Sequence, residues 1–366
     1  MAVWYGLIPI AGGFYSRYKW SRFRKRFDEL RLAPLLDYRQ YREMKEQDGI
    51  FRFTGEIESI TDGKTLWVKG ENLTMPVSLE KTPCWLLPIQ EGEGSPEAPE
   101  QIRWNRVSTL TEGAKVYIGG LLKTQDNRSS FVSTKENPLT VIFYNCPDSS
   151  LTSVIIRAAR TRNEYWNNIT PVSLIFGALS LVYIAASFLN RPAFRLTVIT
   201  AMVAIFLPVF PVIPPGLLLS VLHRRMIWQA KRYKTFLDLA RLPLRFLQPG
   251  QENSTLGTGE KYGCVKIPSP LPETSEKPVP LLIPELSKER KKTDLYFFGV
   301  LNEASPLPEK SKDPFVSFGI LPDSPERLAR HYAKKAYTME IFAWVVLLSA
   351  IGINIVFIYM ILFLLV

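Results

Sequence analysis

Cysteine and histidine are scarce in this chain: Cys84, Cys146 and Cys264, with His223 and His331, are all it has in 366 residues. Three cysteines cannot all pair within one chain, and these are far apart in sequence, so a disulfide framework is not expected and a reducing compartment fits. Cys84 in PVSLEKTPCWLLP lies between apolar residues with no histidine nearby, which reads as a buried inert thiol rather than a nucleophile. Cys146 in FYNCPD falls at a turn, and Cys264 reads as strand-buried. His331 stands among Arg330, Lys334 and Lys335 and reads as an interfacial cation or a neutral surface group. The one glycine-rich spot, around Thr255–Gly259, lacks the Gly-Lys-Ser/Thr of a phosphate loop. No acidic pair stands out. The expectation is a protein without a catalytic centre, metal or cofactor.

Charge is also missing, over long stretches. Residues 172–189, 196–222 and 341–366 contain none. At about 1.5 Å per helical residue the first nearly crosses a hydrocarbon core of about 30 Å. Pro208, Pro211, Pro214 and Pro215 interrupt the second. A helix there is expected to end or kink near Pro208–Pro211 and to restart at Pro215, whose missing N–H costs nothing in a first turn. The N-terminal run MAVWYGLIPIAGGFY has no basic residue ahead of it, unlike a cleaved signal peptide, and is expected to be retained, spanning marginally or dipping into one leaflet. Proton relays and ion paths generally need ionisable groups at membrane depth, and these segments have none in their interiors. Asn354 is the one strongly polar residue in the last run. It is expected to bond across a helix pair, with Ser349 and Gly352 allowing close approach.

What is abundant is positive charge beside those runs, within a formal net charge of +11. Arg17, Lys19, Trp20, Arg22, Arg24, Lys25 and Arg26 follow the first, and Arg224, Arg225, Trp228, Lys231, Arg232 and Lys234 follow the third. Arg157, Arg160 and Arg162 precede the second, and Arg327, Arg330, Lys334 and Lys335 precede the fourth. Four crossings put all four clusters on one side, which positive-inside bias makes cytoplasmic. Arg191 and Arg195, in the only opposite loop, mildly oppose that bias. Aromatic rings suit the headgroup level, and Arg and Lys reach anionic lipid. Nucleic acid is the disfavoured rival partner, since attachment to membrane segments explains the same residues.

The predicted organisation is membrane segment 1 at 1–15, a basic juxtamembrane helical region at 16–48, a β-rich domain at 49–148, a basic helix at 149–171 and membrane segment 2 at 172–189. Membrane segment 3 at 196–213, a basic amphipathic region at 214–249, a second β-rich domain with a flexible loop at 250–321, and a helix with membrane segment 4 at 322–366 follow. Asp62-Gly63 between FRFTGEIESI and TLWVKG is a hairpin signal. VSLE, CWLLPI, IRWNRV, KVYIGGLL, SSFVS and LTVIFY continue a run of short strands that suggests a small barrel or sandwich. KYGCVKI, VPLLI, LYFFGVL and FVSFGIL suggest a reduced barrel in the second half. Ser324-Pro325-Glu326 should start a helix that runs unbroken into the membrane.

The halves echo one another. VYIGGLL at 116–122 resembles LYFFGVL at 295–301, NPLTVIFYNCPD at 137–148 resembles DPFVSFGILPD at 313–323, and FDELRLAPLL at 27–36 echoes FLDLARLPLR at 236–245. The shared order of these elements predicts an internal duplication. The stretch LTEGAKVYIGGLLKTQDNRSSFVSTKENPLTVIFY at 110–144, ahead of a basic helix and a membrane segment, resembles the GIDE, or "beside a membrane" (BAM), domain. That family is a β-rich domain held between transmembrane helices, best known from membrane-anchored E3 ubiquitin ligases. The resemblance covers roughly 50–189 and more loosely 290–366, and it implies an interaction role near a membrane. Ligase activity does not carry over, because a RING needs two zinc sites and so about eight Cys or His ligands.

The fold class expected is therefore α+β, with about four transmembrane helices and two β-rich, small barrel-like extramembrane domains from a duplication. The function expected is a non-catalytic scaffold or adaptor in an inner or plasma membrane. Its partners would be anionic lipid headgroups and a membrane or cytoplasmic protein, with homo-oligomerisation open. The alternative is a channel or transporter component built on pseudo-symmetric helices.

Overall fold

The computed structural model describes residues 2–43, 48–80, 82–87, 99–109, 113–125, 128–161, 167, 169–206, 208, 216–248, 251–256, 258–267, 280–286, 294–302, 305 and 307–365. The chain divides into two compact units. One comprises Met1–Arg22, Arg162–Tyr233 and Ala333–Val366; the other comprises Phe23–Thr161 and Lys234–Tyr332. The first is helical and the second β-rich.

In the β-rich unit, strands β1 (Gly49–Thr61), β2 (Thr65–Lys69), β3 (Thr74–Ser78), β4 (Cys84–Leu86), β5 (Glu100–Ile102), β6 (Lys115–Gln125), β7 (Arg128–Val132) and β8 (Thr140–Tyr144) form one sheet of order β1-β2-β3-β7-β6-β8-β4-β5. The sheet closes on itself, because β6 also pairs antiparallel with β1 from Gly49↔Leu122 to Glu56↔Lys115. The result is a five-stranded barrel, β1-β2-β3-β7-β6, with the β3–β7 contact parallel at Val77↔Phe131. Five strands closed in this order make a small Greek-key barrel of the OB type, an architecture that hosts many functions and names none. Alternation in sequence becomes alternation in burial: Leu66 and Val68 of β2 and Met75 and Val77 of β3 point inward, against Phe53 and Phe131. Each such side chain contributes about 1.5–3 kcal/mol of transfer free energy. At Asp62-Gly63 both residues take left-handed φ, 54° and 61°, and Lys64 N–H bonds back to Thr61 O at 3.2 Å, the primed turn that the pair favours.

Helix α1 (Ile8–Arg31) reaches the barrel with its last turns. A Cβ on Gly119 would sit 2.9 Å from Leu30 Cδ1, so the glycine in VYIGGLL is what lets this helix lie on β6. Phe27 meets Tyr117 edge-on at 5.5 Å. After α1, residues 34–36 add a short parallel bridge to β1, with Leu36 N–H bonded to Arg52 O at 2.8 Å and Arg52 N–H to Pro34 O at 3.1 Å. A short helix α2 (Tyr38–Glu43) follows, and α3 (Asp148–Thr161) leaves β8 with Leu151, Ile155 and Ala158 buried.

The second sheet of this unit is open: β9 (Asn253–Thr255), β10 (Lys261–Ile267), β11 (Leu295–Val300) and β12 (Gly319–Leu321), antiparallel in the order β12-β11-β10-β9. The reduced barrel expected here is a four-stranded sheet without closure. FVSFGIL yields only three strand residues, because Asp313 Oδ1 accepts Phe315 N–H at 3.0 Å and Val316 N–H bonds to Asp313 O at 3.2 Å, which spends the start of the run on a turn. VPLLI contributes a single bridge, Leu281↔Ile320, among the described residues. In the first half, IRWNRV is strand only at Ile102 and continues as a 3-10 helix, Trp104–Thr109. Both β-rich segments fall in the same compact unit. Arg52 of β1 and Asp313, both nearly inaccessible, form a buried ion pair, and Arg157 of α3 meets Glu285 at 3.3 Å.

The helical unit holds the start of α1, preceded by a π-helical stretch at Ala2–Leu7, with α4 (Ile169–Phe188), α5 (Arg195–Ile205), most of α6 (Leu217–Arg241) and most of α7 (Pro325–Leu365). The wider π turn precedes Pro9, whose ring would otherwise crowd the carbonyl four residues back. Two helices, not four, are long and apolar enough among the described residues to cross a membrane: Ile169–Phe188 and Pro325–Met360. The N-terminal run is short and passes into the polar α1, and the third run is broken, with α5 ending at Ile205 and α6 beginning at Leu217. Residues 209–215, with three of the four prolines expected to break it, lie outside the described residues. The expected continuous helix from Ser324 is present as the 41-residue α7, and Ser324 Oγ accepts Arg327 N–H at 3.3 Å as its cap. The basic helix expected at 149–171 is instead α3, which ends at Thr161 and is separate from α4.

Candidate functional site

Small residues set the contacts inside the helical unit. Thr170, Ser173, Gly177, Leu181 and Ala185 line one face of α4. A Cβ on Gly177 would lie 2.3 Å from the Tyr5 ring, so only glycine admits the N-terminal stretch there. The Ser173 hydroxyl donates to Trp4 O, and Trp4 stacks on Phe176 at 5.6 Å. Leu181 and Ala185 pack on Val198, Ala201 and Ala204 of α5, making an α4–α5 hairpin. On α7, Ala336, Ala343 and Ala350 recur every seven residues and are buried, followed by Asn354.

Asn354 is 2 % exposed, and its Oδ1 accepts the N–H of Gly216 at 3.0 Å. The glycine that permits this approach is Gly216, not Gly352. A Cβ on Gly216 would fall 2.4 Å from Asn354 Nδ2 and 2.9 Å from Ala350 O, whereas one on Gly352 would meet nothing within 4 Å. Ser349 is exposed. Gly216 immediately precedes α6, where a helix has N–H groups without intrahelical partners. Asn354 therefore caps α6 from another helix. One step further along, His223 Nδ1 donates to Ala343 O at 2.8 Å. The outward sides of α4 and α7 are apolar and exposed, with Ile175, Leu179, Leu348, Val356, Tyr359 and Phe363 among them.

Of the basic aromatic stretches, Arg17, Lys19, Arg22, Lys25, Arg224, Arg225, Trp228 and Arg232 are exposed, while Arg24, Arg26 and Lys231 are half-buried. The Arg232 guanidinium lies 5.7 Å from the Trp228 ring. Trp20 does not share that setting: it is 2 % exposed, so its ring is not a surface anchor. Arg26 is held by Pro138 O at 3.4 Å and Glu29 at 3.7 Å. Burial pushes the Cys84 and Cys264 thiols up to about 12 and raises Cys146, the opposite of what a nucleophile needs. Among the described residues no group of three or more His, Cys, Asp or Glu could hold a metal ion.

The β-rich unit contains a feature that sequence reasoning missed. A half-open cleft of about 240 Å³ lies between the end of α1, β1, the β9 region and the Asp313 turn. Arg31, Arg52, Arg245, Gln40 and Asp313 line it. Arg52 is fully engaged: Nη1 and Nη2 both reach the Asp313 carboxylate, the first at 3.0 Å, and Nε donates to Ala33 O at 2.6 Å. Arg245 pairs with Asp28. Arg31 is 0 % exposed and stands 4.7 Å over the Phe246 ring, yet Nε, Nη1 and Nη2 have no hydrogen-bond partner. Burial lowers its pKa to about 10, which leaves it cationic at neutral pH. No signal in FDELRLAPLL separates this arginine from the surface arginines upstream; only the tertiary fold buries it. The chain matches no protein-family model, no curated protein and no solved structure.

Proposed function

We propose that the chain is an integral membrane scaffold or adaptor that presents its β-rich unit at the cytoplasmic membrane surface. The observation that carries this reading is the contrast between the units. In the β-rich unit large apolar side chains are inside, whereas α4 and α7 expose them on most of their circumference, which water disfavours and lipid does not. Exposed Arg224, Arg225, Trp228 and Arg232 beside the apolar start of α6 suit anionic headgroups.

The cohesion of the β-rich unit supports a return crossing. Its segments Phe23–Thr161 and Lys234–Tyr332 lie before and after α4 in sequence and share the buried Arg52–Asp313 pair. If α4 crosses the bilayer once, the chain must return before Lys234. The return route is α5, the proline break and the apolar start of α6 together: a discontinuous third span whose 11-residue α5 covers only about 16 Å by itself. Asn354 supports such a break, since it satisfies a donor that hydrocarbon would leave bare, and Pro214 and Pro215 carry no N–H at all.

The duplication reading draws support from the strands. β6 pairs antiparallel with β1 on one side and β8 on the other, and β11 does the same with β10 and β12. Helices α3 and α7 then follow β8 and β12. The resemblance to the beside-a-membrane domain rests on the same strands and is part of this proposal.

The broken span also favours a second reading, a transport component, because discontinuous helices line substrate sites in some transporters. Under that reading Asn354 would be free to coordinate, whereas here its oxygen is committed to Gly216. Two experiments test the scaffold reading. The protein should stay in the pellet after alkaline carbonate extraction. In a cysteine-free background of intact cells, a cysteine at Ala193 should react with a membrane-impermeant maleimide and one at Ser95 should not. Release by carbonate, or strong labelling at Ser95 with none at Ala193, would sink the model and its orientation respectively.

A further inference from the structure

Arg31 presents an incomplete site. A buried guanidinium offers five N–H donors, and an unsatisfied buried charge is costly enough that native proteins supply it with a partner. The carboxylates that could serve are already taken: Asp313 holds Arg52 and Asp28 holds Arg245. The Phe246 ring meets one face of the guanidinium and leaves the in-plane donors unused. At the last residue of α1 the charge also meets the negative end of the helix dipole, which favours the cation but does not satisfy those donors. Counting Arg31, Arg52, Arg245, Asp313 and Asp28 together leaves one positive charge, shared by Arg31 and Arg245 around Asp28, and Arg31 is the one of the three guanidiniums without a hydrogen bond.

We propose that this cleft binds an oxyanion, a phosphoryl or carboxylate group, taken in the plane of the Arg31 guanidinium. The planar fork matches both groups bidentately. A volume of about 240 Å³ is below that of pockets enclosing drug-sized molecules, roughly 300–1,000 Å³, so the cleft takes a small anion or the charged end of a larger molecule. Gln40 Oε1, also buried without a donor, stands in the same lining and accepts from a hydroxyl on the ligand. The inference lies within the β-rich unit and holds whether or not the helices span a bilayer.

The test uses the full chain in phosphatidylcholine nanodiscs at constant ionic strength, reading the thermal unfolding midpoint. Three probes separate the sources: inorganic phosphate, acetate, and phosphatidic acid mixed into the bilayer. The midpoint should rise saturably with at least one of them, and Arg31→Met should weaken the apparent affinity by about tenfold or more, as expected for a charge-assisted hydrogen bond. A response to phosphate or acetate identifies a soluble ligand; a response to phosphatidic acid alone identifies a lipid head. Should Arg31→Met fail to fold, Thr255→Trp narrows the mouth from an exposed position with Arg31 intact, and it should abolish the same response. No shift with any probe, or equal shifts in wild type and Thr255→Trp, overturns the proposal.

Discussion

Removing the charge of Asp313 should be among the most damaging single changes in the β-rich unit. Asp313→Asn keeps the shape and the oxygen that receives Phe315 N–H at 3.0 Å, but it sets an NH2 or a neutral oxygen against the two guanidinium nitrogens of Arg52. Both side chains are almost wholly buried, so solvent does not screen the loss. Breaking such a pair costs about 3–5 kcal/mol, mostly because the surviving charge stays buried and unmatched. For a unit of roughly 240 residues, at about 2–4 °C per kcal/mol, the midpoint should fall by about 6–20 °C. The assay is thermal unfolding of the purified full chain in phosphate-free buffer, with hydrogen exchange over β1 and residues 313–316 as the local readout. The double variant Arg52→Met, Asp313→Leu removes both charges together and should recover most of the loss. A fall under about 1 kcal/mol for Asp313→Asn, or additive losses in the double variant, would refute the claim that this pair ties the two sheets together.

Asn354→Leu should destabilise the helical unit by about 1–3 kcal/mol, the cost of a bare buried donor at Gly216, while leaving any cellular phenotype intact at normal abundance; complete loss of function at normal abundance would favour the transport reading. Gly216→Leu should be worse, since its Cβ has no room, whereas Gly352→Leu should be neutral; both are checked by detergent-resistant folding yield. Stability should also fall at high pH through Cys84. Its thiol loses its proton near 9 when unfolded and only at about 12 when folded, so between those values the unfolded state binds fewer protons and stability drops by up to about 1.4 kcal/mol per pH unit. Buried tyrosines contribute in the same direction, so the measurement is the difference between wild type and Cys84→Ala in midpoint from pH 9 to pH 11; parallel curves would refute it.

Elements with a local cause were readable from the residues. Asp62-Gly63 makes its turn because both positions need positive φ, and Ser324 starts α7 because its hydroxyl takes an orphan N–H. Uncharged runs of helical length stand out for the same reason: hydrophobicity is a property of the residue itself. What could not be read depends on pairing across sequence. IRWNRV alternates like a strand but has a 3-10 segment at Trp104–Thr109, and FVSFGIL loses its first residues to the Asp313 turn. Trp20 looks like an interfacial ring beside Arg17 and Arg22, yet it is buried. Gly352 reads as the point of close approach because it neighbours Asn354, but helix geometry turns it away and gives the contact to Gly216, 138 residues from Asn354. The Arg31 cleft combines residues from 31 to 316, a separation no local pattern reports.

The two units treat buried polar atoms differently, and the difference bears on where function resides. In the helical unit, Ser173 donates to Trp4 O, His223 to Ala343 O, and Asn354 receives Gly216 N–H. The Tyr5 hydroxyl is the one buried side-chain polar atom there without a partner among the described residues. A path for ions or polar solutes needs groups that are not already spoken for, so this pattern is that of helices holding one another. In the β-rich unit eight buried side-chain polar atoms lack a partner among the described residues, Arg26 Nε, Thr152 Oγ1 and Ser317 Oγ included, and four of the eight share one cleft. Three nitrogens of Arg31 and the oxygen of Gln40 line one cleft, and Tyr117 OH, unpartnered as well, belongs to a ring stacked edge-on against Phe315 beside it. Unmatched polar atoms in a core are a cost without a return, and those of Arg31 and Gln40 are the ones that the proposed oxyanion would complete.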